Sequence, residues 1–196
     1  MPEYPASDYM HLDVVINYPN QRSALVMPYF FESEIIKDIP SKKLLLKLLA
    51  AVRAASEVDN RPMDPVVHPQ AFKEAGFCTV YTRGKRGPKI VSREKSLLDY
   101  LIKQGKLEMD GIIYVAGNPE NENSLDHLML ALMEQARGAS NIVTLKPGVV
   151  IAYERNHLTN DALRDFGINV KMWPDSYLDL LGGPHCATSP LWRDPS

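Results

Sequence analysis

The sequence predicts an α/β fold with mixed sheets, and three of its features carry that prediction. Residues 141–172 run strand, turn, strand, helix, strand, which is a ββαβ unit. The first half of the chain can hold a stretched version of the same unit. Fifteen prolines cut the sequence into short elements joined by turns.

The elements follow from local pattern. Met10-His-Leu-Asp-Val-Val-Ile-Asn17 alternates and then becomes wholly apolar, as a strand does. A turn at Pro19-Asn20-Gln21 leads to Ala24–Met27, its hairpin partner. From Ser41, an N-cap after Pro40, the period turns helical and places Leu44, Leu45, Leu48, Leu49, Val52 and Ala55 on one broad face. That stripe is core or an assembly face. Residues 57–90 read as a loop-rich insertion: 57–70 are rich in proline and aspartate, and 82–90 are basic and rich in glycine. A solvated turn explains the basic stretch better than an anion site does. Residues 92–104 read as a helix, and Gly111–Ala116 as a short strand. Asp126–Arg137 reads as an amphipathic helix ended by Gly138. Asn141–Leu145 and Val149–Tyr153 are strands about the turn at Lys146-Pro147-Gly148. Thr159 can cap a helix over Asn160–Asp165, Gly167 ends it, and Ile168–Met172 is the last strand.

Composition narrows the functional classes. A chain of 196 residues fits a single domain, taken here as 1–196, with a respectable core. A net charge of −2 gives no electrostatic case for nucleic acid or for an anionic membrane surface. No apolar run approaches the roughly 18 residues of a membrane span. Nor does the sequence open on a basic segment followed by an apolar one. Two cysteines, Cys78 and Cys186, allow one disulfide at most, so the expectation is a cytoplasmic protein with reduced thiols. His11, His68, His127, His157 and His185 lack ligand spacing, so no metal site is expected.

A few residues carry chemical promise. Gly182, Gly183 and Pro184 precede Cys186, so the backbone there can turn sharply or approach a ligand closely. His185 adjoins the cysteine, but neighbours on an extended chain point to opposite sides, which favours a distant histidine as its partner. Against this, a lone cysteine is more often a small buried apolar residue than a nucleophile, and Cys78 takes that reading. His11 and Asp13 lie two apart in the expected strand and so emerge on one face. They suit an imidazole acid/base beside a cation-gripping carboxylate, and equally a strand-end histidine beside a turn-capping aspartate.

Four blocks of residues resemble the arginine deiminases of the guanidine-modifying (amidinotransferase or pentein) superfamily. They are Met10-His-Leu-Asp-Val-Val15; Glu134-Gln135 with Gly138 through Pro147-Gly148; Tyr153-Glu-Arg-Asn156 with Thr159-Asn160, Leu163, Gly167-Ile168 and Val170; and Gly182-Gly-Pro-His-Cys186. The similarity is dense from Asn141 to Cys186 and thin between Pro28 and Met109. The resemblance implies a pentein-type propeller of ββαβ blades, of which this chain would form the C-terminal half, with two to three of the five blades. It implies Cys186 as the thiolate nucleophile and His11 as the general acid/base. It also implies Asp13 as the guanidinium-binding carboxylate and the Gly183 backbone at the substrate. The reaction would convert an arginine-type guanidine to a citrulline-type product and ammonia through a covalent amidino intermediate.

Three departures from the family pattern qualify this. The family's second aspartate and catalytic glutamate, in an acidic-Gly-Gly-Asp context, have no counterpart in these residues. Leu181 stands where an arginine usually meets the substrate carboxylate, with Arg155 or Arg193 as possible replacements. Val14 replaces the usual threonine. The expectation is therefore a hydrolase whose site is completed by another copy, a hetero-partner or a missing N-terminal half. The alternative is a catalytically silent binding or regulatory subunit. An unfinished ring exposes sheet edges, so oligomerisation is expected in either case.

Overall fold

The computed structural model describes residues 12–28, 78–85, 87–94, 96–108, 110–118, 124–175 and 183–189. The helix expected from Ser41, the loop at 57–70, His11, Leu181 and Arg193 lie outside the described residues. Within them the chain is mixed α/β. The strands are β1 (Ile16–Asn17), β2 (Ala24–Val26), β3 (Cys78–Gly84), β4 (Gly87–Glu94), β5 (Ile112–Tyr114), β6 (Val143–Lys146), β7 (Val149–Tyr153) and β8 (Asn169–Trp173). The helices are α1 (Leu97–Lys103), α2 (Ser124–Ala136) and α3 (His157–Asp165), and a single 3-10 turn spans Leu12–Val14.

Two of the three sheets share one topology. In β1-β2-β5 the hairpin pair is antiparallel and β5 joins β2 in parallel; in β6-β7-β8 the same is true of β6-β7 and then β8. Each parallel strand is reached through a helix, α1 before β5 and α3 before β8, because a parallel neighbour needs a crossover. The expected ββαβ unit is thus present in the C-terminal half, and a stretched copy in the N-terminal half, as expected. The third sheet corrects the sequence reading. Residues 78–84 and 87–94 form an antiparallel hairpin, where 82–90 reads from sequence as a loop. Val80 faces Ser92 and Tyr81 faces Ile90 across it, and pairing runs on to Gly84 and Gly87, so β-forming residues extend the strands up to the glycines. Among the described residues the hairpin's strands pair only with each other, and Tyr81, Ile90 and Val91 are exposed.

Other boundaries move for local reasons. Residues 92–94 belong to β4, so α1 begins only at Leu97, where Ser96 Oγ accepts the Asp99 N–H at 3.1 Å. Helix α3 begins at His157, not after Thr159, and its N-cap Asn156 makes no side-chain cap bond. The cap comes from α2. Glu134, 5% exposed, accepts the N–H of Leu158 at 2.9 Å, the N–H of Thr159 at 2.8 Å and the Thr159 hydroxyl at 2.5 Å. A carboxylate at a helix N-terminus also meets the positive end of the helix dipole. Thr159 Oγ1 in turn accepts the Ala116 N–H at 2.9 Å, and Asn160 donates to Tyr153 O at 2.9 Å. The Asn156/Thr159/Asn160 motif therefore ties α3 to α2, to the end of β5 and to β7.

A single apolar core joins both three-stranded sheets. It includes Ile16, Leu25, Val26, Ile113, Leu128, Leu132, Ile142, Val150, Ala152, Leu163 and Ile168. Burying side chains of this size stabilises by about 1.5–3 kcal/mol each before entropy is counted. Polar ties sit beside the core. Asn17 donates to Ser140 O at 3.1 Å and Ile142 O at 2.8 Å, and Thr144 donates to Tyr18 O at 2.7 Å. These bonds hold the segment between α2 and β6 against the β1–β2 hairpin.

Candidate active site

Three separate pieces of chain meet at one place: the 3-10 turn, the segment after α2, and the segment 183–187. Asp13 belongs to the turn, and not to the extended strand its flanking sequence predicts. The strand shortens to Ile16–Asn17 because Val15 N–H bonds back to Leu12 O at 3.1 Å. The argument that strand geometry puts His11 and Asp13 on one face therefore does not hold for Asp13. His11 lies outside the described residues.

Asn141 is the centre of the arrangement. Gly138, at φ 73°, closes the C-terminus of α2, and the Asn141 N–H bonds to Gly138 O at 3.0 Å. The Asn141 side chain, in a residue 1% exposed, donates from Nδ2 to Asp13 Oδ2 at 2.7 Å and to Cys186 Sγ at 3.2 Å. Its Oδ1 accepts the Cys186 N–H at 3.2 Å, and its backbone carbonyl accepts the His185 N–H at 3.2 Å. Gly183 packs directly on this amide. A Cβ there would run into the Oδ1, Cβ and Cγ atoms of Asn141. A side chain at 183 is therefore incompatible with this packing.

The Cys186 thiol is exposed and lies 3.9 Å from Asp13 Oδ2. His185 Nδ1 is 2.8 Å from the same oxygen. The sequence argument turned His185 away from its neighbour because an extended chain alternates. Residues 184–187 are a turn, however, with Ala187 N–H bonded to Gly183 O at 3.1 Å. Both side chains accordingly reach Asp13. Leu12, Asp13, His185 and Cys186 line an open cavity of about 520 Å³. The second carboxylate oxygen, Asp13 Oδ1, is buried and has no hydrogen-bond partner among the described residues. Such an oxygen costs about 1–3 kcal/mol or more for a charged group, and a ligand N–H would relieve that cost.

The other candidates have structural places. Arg155 pairs with Asp175, Nε to Oδ2 at 3.0 Å, and its N–H bonds to Asp175 Oδ1 at 3.3 Å. Cys78 stands opposite Glu94 across the β3–β4 hairpin, and desolvation, followed by the Glu94 charge, raises its thiol pKa. His127 is buried with Nε2 2.9 Å from Gly117 O. Among the described residues no three His, Cys, Asp or Glu side chains group as a metal site, and no helix is long and apolar enough to cross a membrane. Sequence reasoning missed Asn141 and His185. A polar residue at the head of a strand carries no signal beyond its place in the block matching the deiminases.

Comparison with known proteins covers Asn141, His185 and Cys186, while the family match does not reach Asp13. The family model described as "Arginine deiminase" matches residues 66–193. The arginine deiminase of Mycoplasma capricolum subsp. capricolum is 37% identical over 130 residues, 66% of this chain and 30% of that protein. That of Limosilactobacillus reuteri is 33% identical over 132 residues, 65% of this chain and 30% of that protein. That of Borrelia recurrentis is 45% identical over 62 residues, 31% of this chain and 15% of that protein. At its longest matches the chain thus spans about 30% of the length of these relatives.

Proposed function

The chain belongs to the arginine deiminase family, and from that premise we propose that it carries the nucleophile half of a guanidine-hydrolysing site. Cys186 is the nucleophile and Asp13 the carboxylate that grips the guanidinium. His11 is the general acid/base, and the Gly183 backbone borders the substrate. The observation that carries the reading is the convergence of an exposed thiol on a partly orphaned carboxylate at 3.9 Å, in an open cavity.

The chemistry follows from the donor set. A planar guanidinium offers paired N–H donors to a carboxylate, with charge-assisted geometry. Its positive charge beside the sulfur favours the thiolate. The sulfur attacks the guanidinium carbon and a C–S bond forms. The C–N bond then breaks, and the leaving nitrogen takes a proton from His11 and departs as ammonia. Water, deprotonated by the same imidazole, adds to the carbon. The C–S bond breaks, returning the thiolate and releasing the urea-type product. No redox partner or metal takes part in this sequence.

We place the remaining acid groups outside these 196 residues, in further sequence of the same polypeptide, a second copy or a partner chain. The two ββαβ units are proposed as blades of a pentein-type propeller. The protein acts in the cytoplasm on a small guanidine, with no nucleic acid or membrane partner. The test is citrulline or urea release from arginine, agmatine, methylated arginines and guanidino acids, with Cys186→Ala in parallel. Turnover that the variant abolishes supports the reading. Silence on every guanidine, with and without the complementing sequence, leaves the silent binding subunit as the better account.

A further inference from the structure

We infer that Asn141 is a positioning residue that activates Cys186, an inference resting on the reading of Cys186 as nucleophile. The amide is used at both ends. Its two Nδ2 hydrogens go to the Asp13 carboxylate at 2.7 Å and the Cys186 sulfur at 3.2 Å, and its Oδ1 takes the Cys186 backbone N–H at 3.2 Å. The opposite amide orientation would set Oδ1 against the Asp13 carboxylate and NH2 against a backbone N–H, so the hydrogen-bond network fixes the orientation.

Two consequences follow for the site. The N–H on sulfur aims a donor at the atom that carries the negative charge during attack. The N–H on Asp13 Oδ2 draws off charge that would otherwise face that sulfur at 3.9 Å. Asn141 thus lets an anionic sulfur and a carboxylate sit side by side before any guanidinium arrives. His185 contributes to the same end only when protonated, through its 2.8 Å contact to Asp13. Asn141 is held rigidly for this task by Gly183 packed on its side chain and by the turn from Gly138.

The test is iodoacetamide alkylation at fixed pH, with the rates at Cys186 and Cys78 read separately by peptide mass spectrometry, in wild type, Asn141→Ala and Asn141→Asp. Asn141→Asp keeps the shape against Gly183 and the acceptor for Cys186 N–H, but loses both donors and adds a negative charge. Asn141→Ala removes the donor to sulfur and the acceptor for the Cys186 N–H, and should slow Cys186 about three- to tenfold. Asn141→Asp should slow it more and lower the thermal midpoint, since a second carboxylate then faces Asp13 in a buried position, with the Cys78 rate unchanged below that midpoint. Cys186 labelling within twofold of wild type in either variant would overturn the inference. So would parallel changes at both cysteines, which would mark a loss of fold instead of a loss of alignment. Iodoacetamide needs no guanidine site, so absent turnover would count against the proposed function without touching this result.

Discussion

Replacing Glu134 by glutamine should destabilise the protein by about 2–4 kcal/mol, although the side chain keeps its shape. The carboxylate takes three donors: Leu158 N–H on Oε1, and Thr159 N–H and hydroxyl on Oε2. Glutamine retains one acceptor oxygen, which can serve Leu158 N–H. Its NH2 then confronts the Thr159 N–H, and Thr159 is 0% exposed, so water cannot take over. The Thr159 hydroxyl oxygen is already engaged by Ala116 N–H. Hydrogen bonds to a charged acceptor contribute about 1.5–3 kcal/mol each, and the orphaned donor adds a desolvation cost, though the terms do not sum fully. At roughly 2–4 °C per kcal/mol for a chain of this size, the midpoint should fall by about 4–16 °C. Circular dichroism melts of E134Q and of Asp161→Asn decide the matter. Asp161 pairs with Arg164 on the same helix at 2.6 Å, but both side chains are exposed, so D161N should cost less than about 0.5 kcal/mol. Equal midpoints for the two variants would refute the capping argument.

Gly183→Ala should cost about 1–3 kcal/mol by overpacking against Asn141 and should slow Cys186 alkylation, checked by melting and labelling together. Asn17→Ala removes two bonds to Ser140 O and Ile142 O, so about 1–3 kcal/mol should be lost in urea unfolding. For Cys78, desolvation and then Glu94 raise the folded pKa. Its stabilising contribution is therefore full below the unfolded thiol's value of about 8.5 and is lost as pH rises through the folded one. At pH 8 it should label more slowly than a free thiol, and Glu94→Gln should quicken it, as a maleimide time course would show.

How much was legible from sequence depended on whether a residue's role is local. The ββαβ order, the end of α2 at Gly138 and the end of α3 at Gly167, at φ 85°, follow from periodicity and from glycine's tolerance of positive φ. Cys186 and Asp13 stood out as candidates because a rare residue type in a dense motif draws notice, and the structure brings the two within 3.9 Å. The β3–β4 hairpin was not, since glycine and basic residues describe a turn but say nothing of how far pairing extends on either side.

The sequence by itself determined the α/β class and, through the matched region, the family, and it singled out the Cys186 thiol and the Asp13 carboxylate as candidates. Tertiary structure alone decided what surrounds them. Asn141 reaches Asp13 across 128 positions and Cys186 across 45, and Glu134 caps a helix starting more than twenty residues further on. No local rule predicts such pairs. Their partners are chosen by which chain segments the common core brings together, and a buried amide or carboxylate then bonds to whatever donor or acceptor it finds there.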